Sequence, residues 1–253
     1  MRIRNRAIST TAGAALVVAA MVFGGGISAQ GAEPHSSVSV SDYSAYLESQ
    51  IKTNTDASTT LLEFTRLSGE QQVRFVEIIS ERNLFSELTV LADSDAAQLS
   101  TSSSVSGLDS ALYPDAVTYR TESSVAASEV VKGMASPLGY YGDYTTATGT
   151  ATYIQSLFGI QITKLNVWVT FNTAYAGVPV KVLSHGSSSS NLNLLVNISS
   201  TNNPAYIASG GLAVASTTWH GCALFQGLGA CFDKLQTAKF YSGGLYTHTV
   251  VNA

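Results

Sequence analysis

The sequence predicts an α+β protein, with a short N-terminal helical module followed by an antiparallel all-β sandwich or barrel domain with one disulfide. Three observations predict it. Residues 145–183 place Thr, Val, Ile and aromatic side chains at a period of two, broken by Gly, as half-buried antiparallel strands require. Residues 68–82 instead repeat apolar side chains at helical spacing. The two cysteines, Cys222 and Cys231, stand nine positions apart in an apolar stretch that reads as a hairpin.

The first residues read as an address. Arg2, Arg4 and Arg6 precede an apolar run over 12–23 and a small-residue stretch over 24–32, the pattern of a Sec-type signal peptide cut near residue 31. The apolar run falls short of the roughly 20 residues a bilayer span needs. The expectation is a secreted chain without a stable transmembrane segment. It divides into a signal peptide (1–31), an acidic helical module (32–99), a Ser/Gly-rich linker and transition (100–142) and the β domain (143–253).

Within the module, Tyr43, Tyr46, Leu47 and Ile51 predict a first helix, and Leu61, Leu62, Phe64 and Leu67 a second. Ser68 and Gln71 form a capping box that opens a third. It carries Val73, Phe75, Val76, Ile78 and Ile79, runs to Arg82, and stops at Asn83. Leu84, Phe85, Leu88 and Leu91 predict a short helix after it. The Ser/Thr tract at 100–106 reads as linker, with one strand expected near 117–121.

From Tyr144 onward about seven strands are expected. The first covers 148–158 and turns at Gly159 into 160–172, where a change of apolar parity places a bulge near Thr163-Lys164 or a short connection between two strands. Pro179 suits a strand start before 180–183, and 186–190 reads as a flexible turn. Leu192, Leu194, Val196 and Ile198 alternate with Asn191, Asn193 and Asn197 as a strand with one wet face. Asn202-Asn203-Pro204 reads as a turn, and strands over 206–208, 212–218, 219–225, 231–237 and 245–251 complete the domain.

The charges are uneven. Residues 33–129 hold fifteen acids against five bases, whereas 130–253 hold two acids and five Lys. Opposite signs on adjacent segments point to docking of the acidic module on the basic β domain, or to an anionic partner for the basic part alone. Helices also carry more Glu than strands do, which accounts for the same numbers without any docking. The surplus of Lys lacks the clustered Arg of a nucleic-acid binder.

Few residue patterns carry chemistry. In an exported chain the Cys222/Cys231 spacing reads as an oxidised pair closing a hairpin, and a redox pair would lack the Cys-x-x-Cys spacing that tunes a thiolate. Between them, Leu224, Phe225 and Leu228 form either the packed interior of that hairpin or an apolar contact loop for lipid or a receptor. His35, His185, His220 and His248 show no ligand spacing. No Gly-x-Ser-x-Gly elbow or phosphate loop appears, and Asp143 and Asp233 are the only acids after residue 129. No catalytic residue, metal ligand or cofactor site is assigned, so the chain is expected not to be an enzyme. Eight tyrosines fall between Tyr140 and Tyr246. They serve sheet packing, or with Trp168 an aromatic surface of Tyr140, Tyr141, Tyr144 and Tyr175 that meets sugars or proteins.

An export signal, an acidic helical module built on Leu67-Ser68-Gly69-Glu70-Gln71-Gln72-Val73-Arg74-Phe75, and a Gly-, Tyr- and Thr-rich β domain follow one another here. This layout resembles the geobacillin-like large bacteriocins, secreted proteins of Gram-positive bacteria. The resemblance implies an antimicrobial effector that meets a bacterial cell envelope, and it brings no catalytic residues with it. A secreted or surface-associated module for a glycan or protein ligand is the second expectation.

Overall fold

The computed structural model describes residues 38–81, 84, 102–109, 113, 116–131, 144–174, 177–225 and 228–253; at 102–109, 128–131, 144, 224–225 and 228–230 it describes the backbone only. Three helices lead the described chain: α1 (Val40–Gln50), α2 (Asp56–Arg66) and α3 (Gly69–Ile79). Nine strands follow: β1 (Ser102–Asp109), β2 (Val117–Val131), β3 (Tyr144–Leu157), β4 (Ile160–Thr173), β5 (Pro179–Asn191), β6 (Val196–Ala208), β7 (Leu212–Phe225), β8 (Leu228–Tyr241) and β9 (Gly244–Asn252). β1–β5 form one antiparallel sheet and β6–β9 another, each in chain order, and the two sheets stack as a sandwich. Most strands run 13–15 residues, far beyond the usual 5–6, so the sandwich is long.

The helix starts are set by local chemistry. Ser68 accepts the Gln71 amide at 3.2 Å while Gln71 accepts the Ser68 amide at 3.0 Å, the capping box read from the sequence. Ser39 and Asp42 make a second one at the head of α1. Ser68→Ala should lower the unfolding free energy by about 1 kcal/mol. An unchanged urea midpoint would show that the cap contributes nothing here.

The three helices bury one face each. Tyr43, Phe64 and Phe75 are fully buried with ring centroids 5.0–5.2 Å apart. They share one core with Tyr153, Leu157, Ile162, Leu165 and Trp219 from the sandwich. The acidic module thus docks through apolar packing. Among the described residues no ion pair joins helix to strand; Arg74 pairs with Glu77 on its own helix. Cutting away 32–99 would strip three aromatic rings from this core. A second core fills the other end of the sandwich, where Phe171 and Phe240 pack among Ala147, Ala151, Ala215 and Ala238. Gly149 is required there, since a Cβ would lie 2.5 Å from the Phe240 ring.

Seven strands do run from Tyr144 onward. The bulge is present one residue earlier than expected: Gln155 faces Thr163 but Ser156 faces Gln161, which leaves Ile162 extra and Ile162 and Thr163 both buried. Cys222 sits opposite Cys231 on the β7–β8 hairpin and the disulfide is closed.

Four readings need correction. The Ser/Thr tract at 100–106, read as linker, enters β1, because a neighbouring sheet edge supplies its ladder partners, while the strand expected near 117–121 is present and runs on to Val131 as β2. The "turn" at 186–190 lies at the end of β5, paired with Trp168 through Lys164 of β4. The expected strand over 191–198 is broken: its Asn side chains take backbone partners, Asn191 Oδ1 from the Asn193 amide and Asn193 Oδ1 from the Leu195 amide, and the chain crosses from one sheet to the other. Pro204 lies within edge strand β6, at a bulge between Asn203 and Tyr206 where no ladder donor is needed. The expected helix over 84–91 falls on residues of which only Leu84, which is buried, is described. Arg82 and Asn83 lie outside the described residues.

Candidate functional site

The crossover and the helices together shape a cleft of about 660 Å³. Its floor and one wall come from β4, β5 and the crossover: Lys164, Asn166, Ser188, Ser190, Asn191 and Asn193. The opposing wall is Tyr46 and the α1–α2 turn, residues 53–56. That volume suits a small ligand, but the lining is polar where most such sites are apolar.

Each wall is fixed by hydrogen bonds. The turn is anchored by Asn54, whose side-chain oxygen accepts the Asp56 amide at 3.0 Å and whose side-chain amide donates to Ser190 Oγ at 3.0 Å. Gln161 donates to Asp56 Oδ2 at 2.9 Å, and the Thr60 hydroxyl donates to the Gln161 carbonyl. On α1, the Tyr43 hydroxyl donates to the Leu192 carbonyl at 3.1 Å and that of Tyr46 to the Asn191 carbonyl at 3.4 Å. Burial pushes both phenols above their ordinary pKa, so they remain donors. Within the crossover the two Asx turns hold Asn193 3% exposed. Across the strands, Asn166 accepts from Thr152 at 2.6 Å and donates to Ser188 at 3.2 Å.

Electrically the cleft is balanced, with one carboxylate, Asp56, and one ammonium, Lys164, among its lining residues. Amides and hydroxyls dominate the rest. Such a surface exchanges hydrogen bonds with an uncharged polar ligand and has little to offer a strong anion. Among the described residues no three His, Cys, Asp or Glu side chains converge to hold a metal ion, and no helix is long and apolar enough to cross a membrane.

Of the aromatic surface expected from the sequence, Trp168 stands on the outer face of β4, two positions from Asn166 and so beside the cleft. Tyr140, Tyr141 and Tyr175 lie outside the described residues, as do the side chains of Tyr144, Leu224, Phe225 and Leu228. The cleft residues were missed by sequence reasoning. The Asn-rich run over 191–197 was the available signal, and it reads as a strand face.

Sequence reasoning also missed a row on the outer face of the second sheet. His220 Nδ1 lies 2.8 Å from Asp233 Oδ1, and its Nε2 lies 3.1 Å from Thr201 Oγ1. The neutral ring donates from Nδ1 to the carboxylate and accepts the Thr201 hydroxyl at Nε2. Hydroxyl, imidazole and carboxylate are the order of a nucleophile relay. Here they are cross-strand neighbours on β6, β7 and β8, with the His220 and Asp233 side chains 38% and 53% exposed. Acyl transfer also needs donors aimed at a developing oxyanion, and ladder amides between paired strands are already used. The row pins three strands together.

Comparison with protein-family models, with curated proteins and with solved structures returns no match in any of the three. The functional reading therefore rests on the residues themselves.

Proposed function

We propose that this chain is a secreted, bacteriocin-like antimicrobial effector that acts by contact with a bacterial cell envelope and makes or breaks no bond there. The observation that carries the reading is the cleft: hydroxyls and amides, pinned by hydrogen bonds on helix turns and paired strands, around a single balanced charge pair. That arrangement is preorganised to bind a polar surface and holds no nucleophile with an activating base. The export-type N-terminus supports a location outside the cell, where an envelope is the surface the protein meets. The second reading, a binding module for a glycan or protein ligand without killing activity, draws on the same cleft and differs only in consequence.

The test is inhibition of lawns of related Gram-positive bacteria by the purified chain from residue 32 onward. Clearing supports the effector reading; no clearing against any strain, with envelope binding retained in a pull-down, supports the module instead. His220→Ala separates contact from catalysis. It should leave clearing unchanged and lower stability by at most about 1 kcal/mol, as for an exposed polar pair. A hundredfold loss of potency with the fold intact would make the Thr201–His220–Asp233 row catalytic.

A further inference from the structure

We infer that the outer face of β3–β5, from Trp168 to the mouth of the cleft at Lys164, binds a linear, uncharged glycan. This deepens the envelope-contact reading, and rests on it only for where the glycan comes from.

Gly186 is the first observation. It lies opposite Trp168 across the β4–β5 ladder, on an outer face, and yet it is buried. A Cβ there would fall 2.7 Å from Cζ2, 2.9 Å from Cε2 and 3.1 Å from Nε1 of the indole. The ring therefore lies down across the glycine, with one face against the sheet. Trp168 is only half-buried, so its other side meets water. Burial normally draws Trp into a core, as with Trp219, which is fully buried. A tryptophan held flat on an outer face by a glycine is a stacking platform. The C–H face of a sugar ring packs on such a surface, and its hydroxyls reach past the ring edge.

The surroundings of the ring are the second observation. Along the ladder on one side, Thr148 and Thr170 share a hydrogen bond at 2.9 Å, and Thr146 donates to Asn172 at 3.0 Å. On the other side, Thr152, Asn166 and Ser188 form the chain that borders the cleft. These bonds fix the rotamers, so hydroxyls and amides stand in rows at strand spacing with little ordering left to do on binding. Trp168 and Lys164 are four residues apart, about 13 Å at the strand rise. A chain of sugars laid along β4 would stack on Trp168, pass Asn166 and Ser188, and end in the cleft between Asn191 and the α1–α2 turn.

Charge decides the class of ligand. The rows flanking Trp168 are Thr, Asn and Ser, and the cleft balances Asp56 against Lys164. An anionic polymer such as a polyol phosphate would need clustered Arg or Lys. An extended peptide would add along the sheet edge at β5, whereas Trp168, Asn166 and Lys164 stand on the face of β4, which is paired on both sides.

The experiment titrates the chain from residue 32 onward with chitohexaose, cellohexaose and laminarihexaose, by calorimetry and by tryptophan emission. Only Trp168 and Trp219 emit, and Trp219 is sealed in the core. An emission shift on binding should therefore vanish in Trp168→Phe while calorimetric binding persists, because a smaller ring remains. Trp168→Ala should weaken binding about tenfold or more. Gly186→Ala, which lifts the indole, should do the same with a thermal midpoint that shows the sheet intact. Binding to none of the three sugars overturns the inference. So does Trp168→Ala binding as tightly as the parent, or a preference for polyglycerol phosphate over every neutral sugar. If the chain clears a lawn but binds no sugar, this inference falls and the effector reading stands. If it binds sugar but clears nothing, the effector reading falls and this one stands.

Discussion

Phe75→Ala is expected to lower the unfolding free energy by about 3–5 kcal/mol, the usual range for emptying a fully buried aromatic site. Phe75 is 0% exposed, and its ring meets Phe64 at 5.1 Å and Tyr43 at 5.2 Å. The three rings belong to one buried core shared with the sandwich, so the site relaxes only by movement of a helix or of the side chains packed around it. The consequence reaches the cleft. Tyr43 would lose the packing that presents its hydroxyl to the Leu192 carbonyl, and α1 carries both Tyr46 and the approach to the 53–56 turn. Glycan affinity should therefore fall together with stability, although Phe75 does not line the cleft. Phe75→Leu, which keeps most of the volume, should cost less than half as much. Urea unfolding with a two-state fit measures this. A loss under about 1 kcal/mol would show that the helices are ornaments on a self-sufficient sandwich.

What could be read in the sequence, and what could not, follows from the range of each interaction. The capping box of Ser68 and Gln71 is a three-residue device, and it forms as read. The alternation over Leu165, Val167, Val169 and Phe171 reports a single strand's two faces, and that strand is paired on both sides. The β7–β8 disulfide needs only a hairpin, and it closes. Failures occur where a distant partner decides. The Ser tract of β1 has no core signal of its own and becomes a strand only because β2 offers Thr121 to Val105 and Arg120 to Ser106. Gly186 looks like a turn residue until Trp168 is placed on it. The cleft has its halves about 110–140 residues apart, as the Asn54–Ser190 pair shows, and no spacing rule spans that gap. Alternating Leu and Asn over 191–198 satisfies the strand pattern, yet the Asn side chains bond to backbone two residues on and turn the chain instead.

Lowering the pH from 7 to 4 should remove about 2–3 kcal/mol of stability through His248 alone. The interior network fixes its protonation. Trp219 Nε1–H donates to Gln236 Oε1 at 2.7 Å, which orients the Gln236 amide. The amide then donates from Nε2 to His248 Nε2 at 2.8 Å, so that nitrogen must be the acceptor and the proton sits on Nδ1. A second proton at Nε2 would set two donors against each other, and Nδ1 is already buried with no acceptor. Burial accordingly pulls the folded pKa from 6.5 down to about 4. Between those two values the unfolded chain binds a proton that the folded chain refuses, so stability rises with pH across that window. The contribution is complete above 6.5, is lost as the pH falls, and levels off below 4. Because His248 as a residue is only half-buried, solvent takes up part of that effect. Asp42, whose carboxyl is held low by Ser39, adds its own loss only below its ordinary 3.8, outside the window. His248→Leu removes the titrating ring while Gln236 keeps the Ala151 and Leu165 carbonyls as acceptors. The variant should therefore lose the slope between pH 6.5 and 4 and still fold. Urea midpoints at half-unit pH steps measure it, and an identical slope in parent and variant would assign the acid sensitivity to other groups.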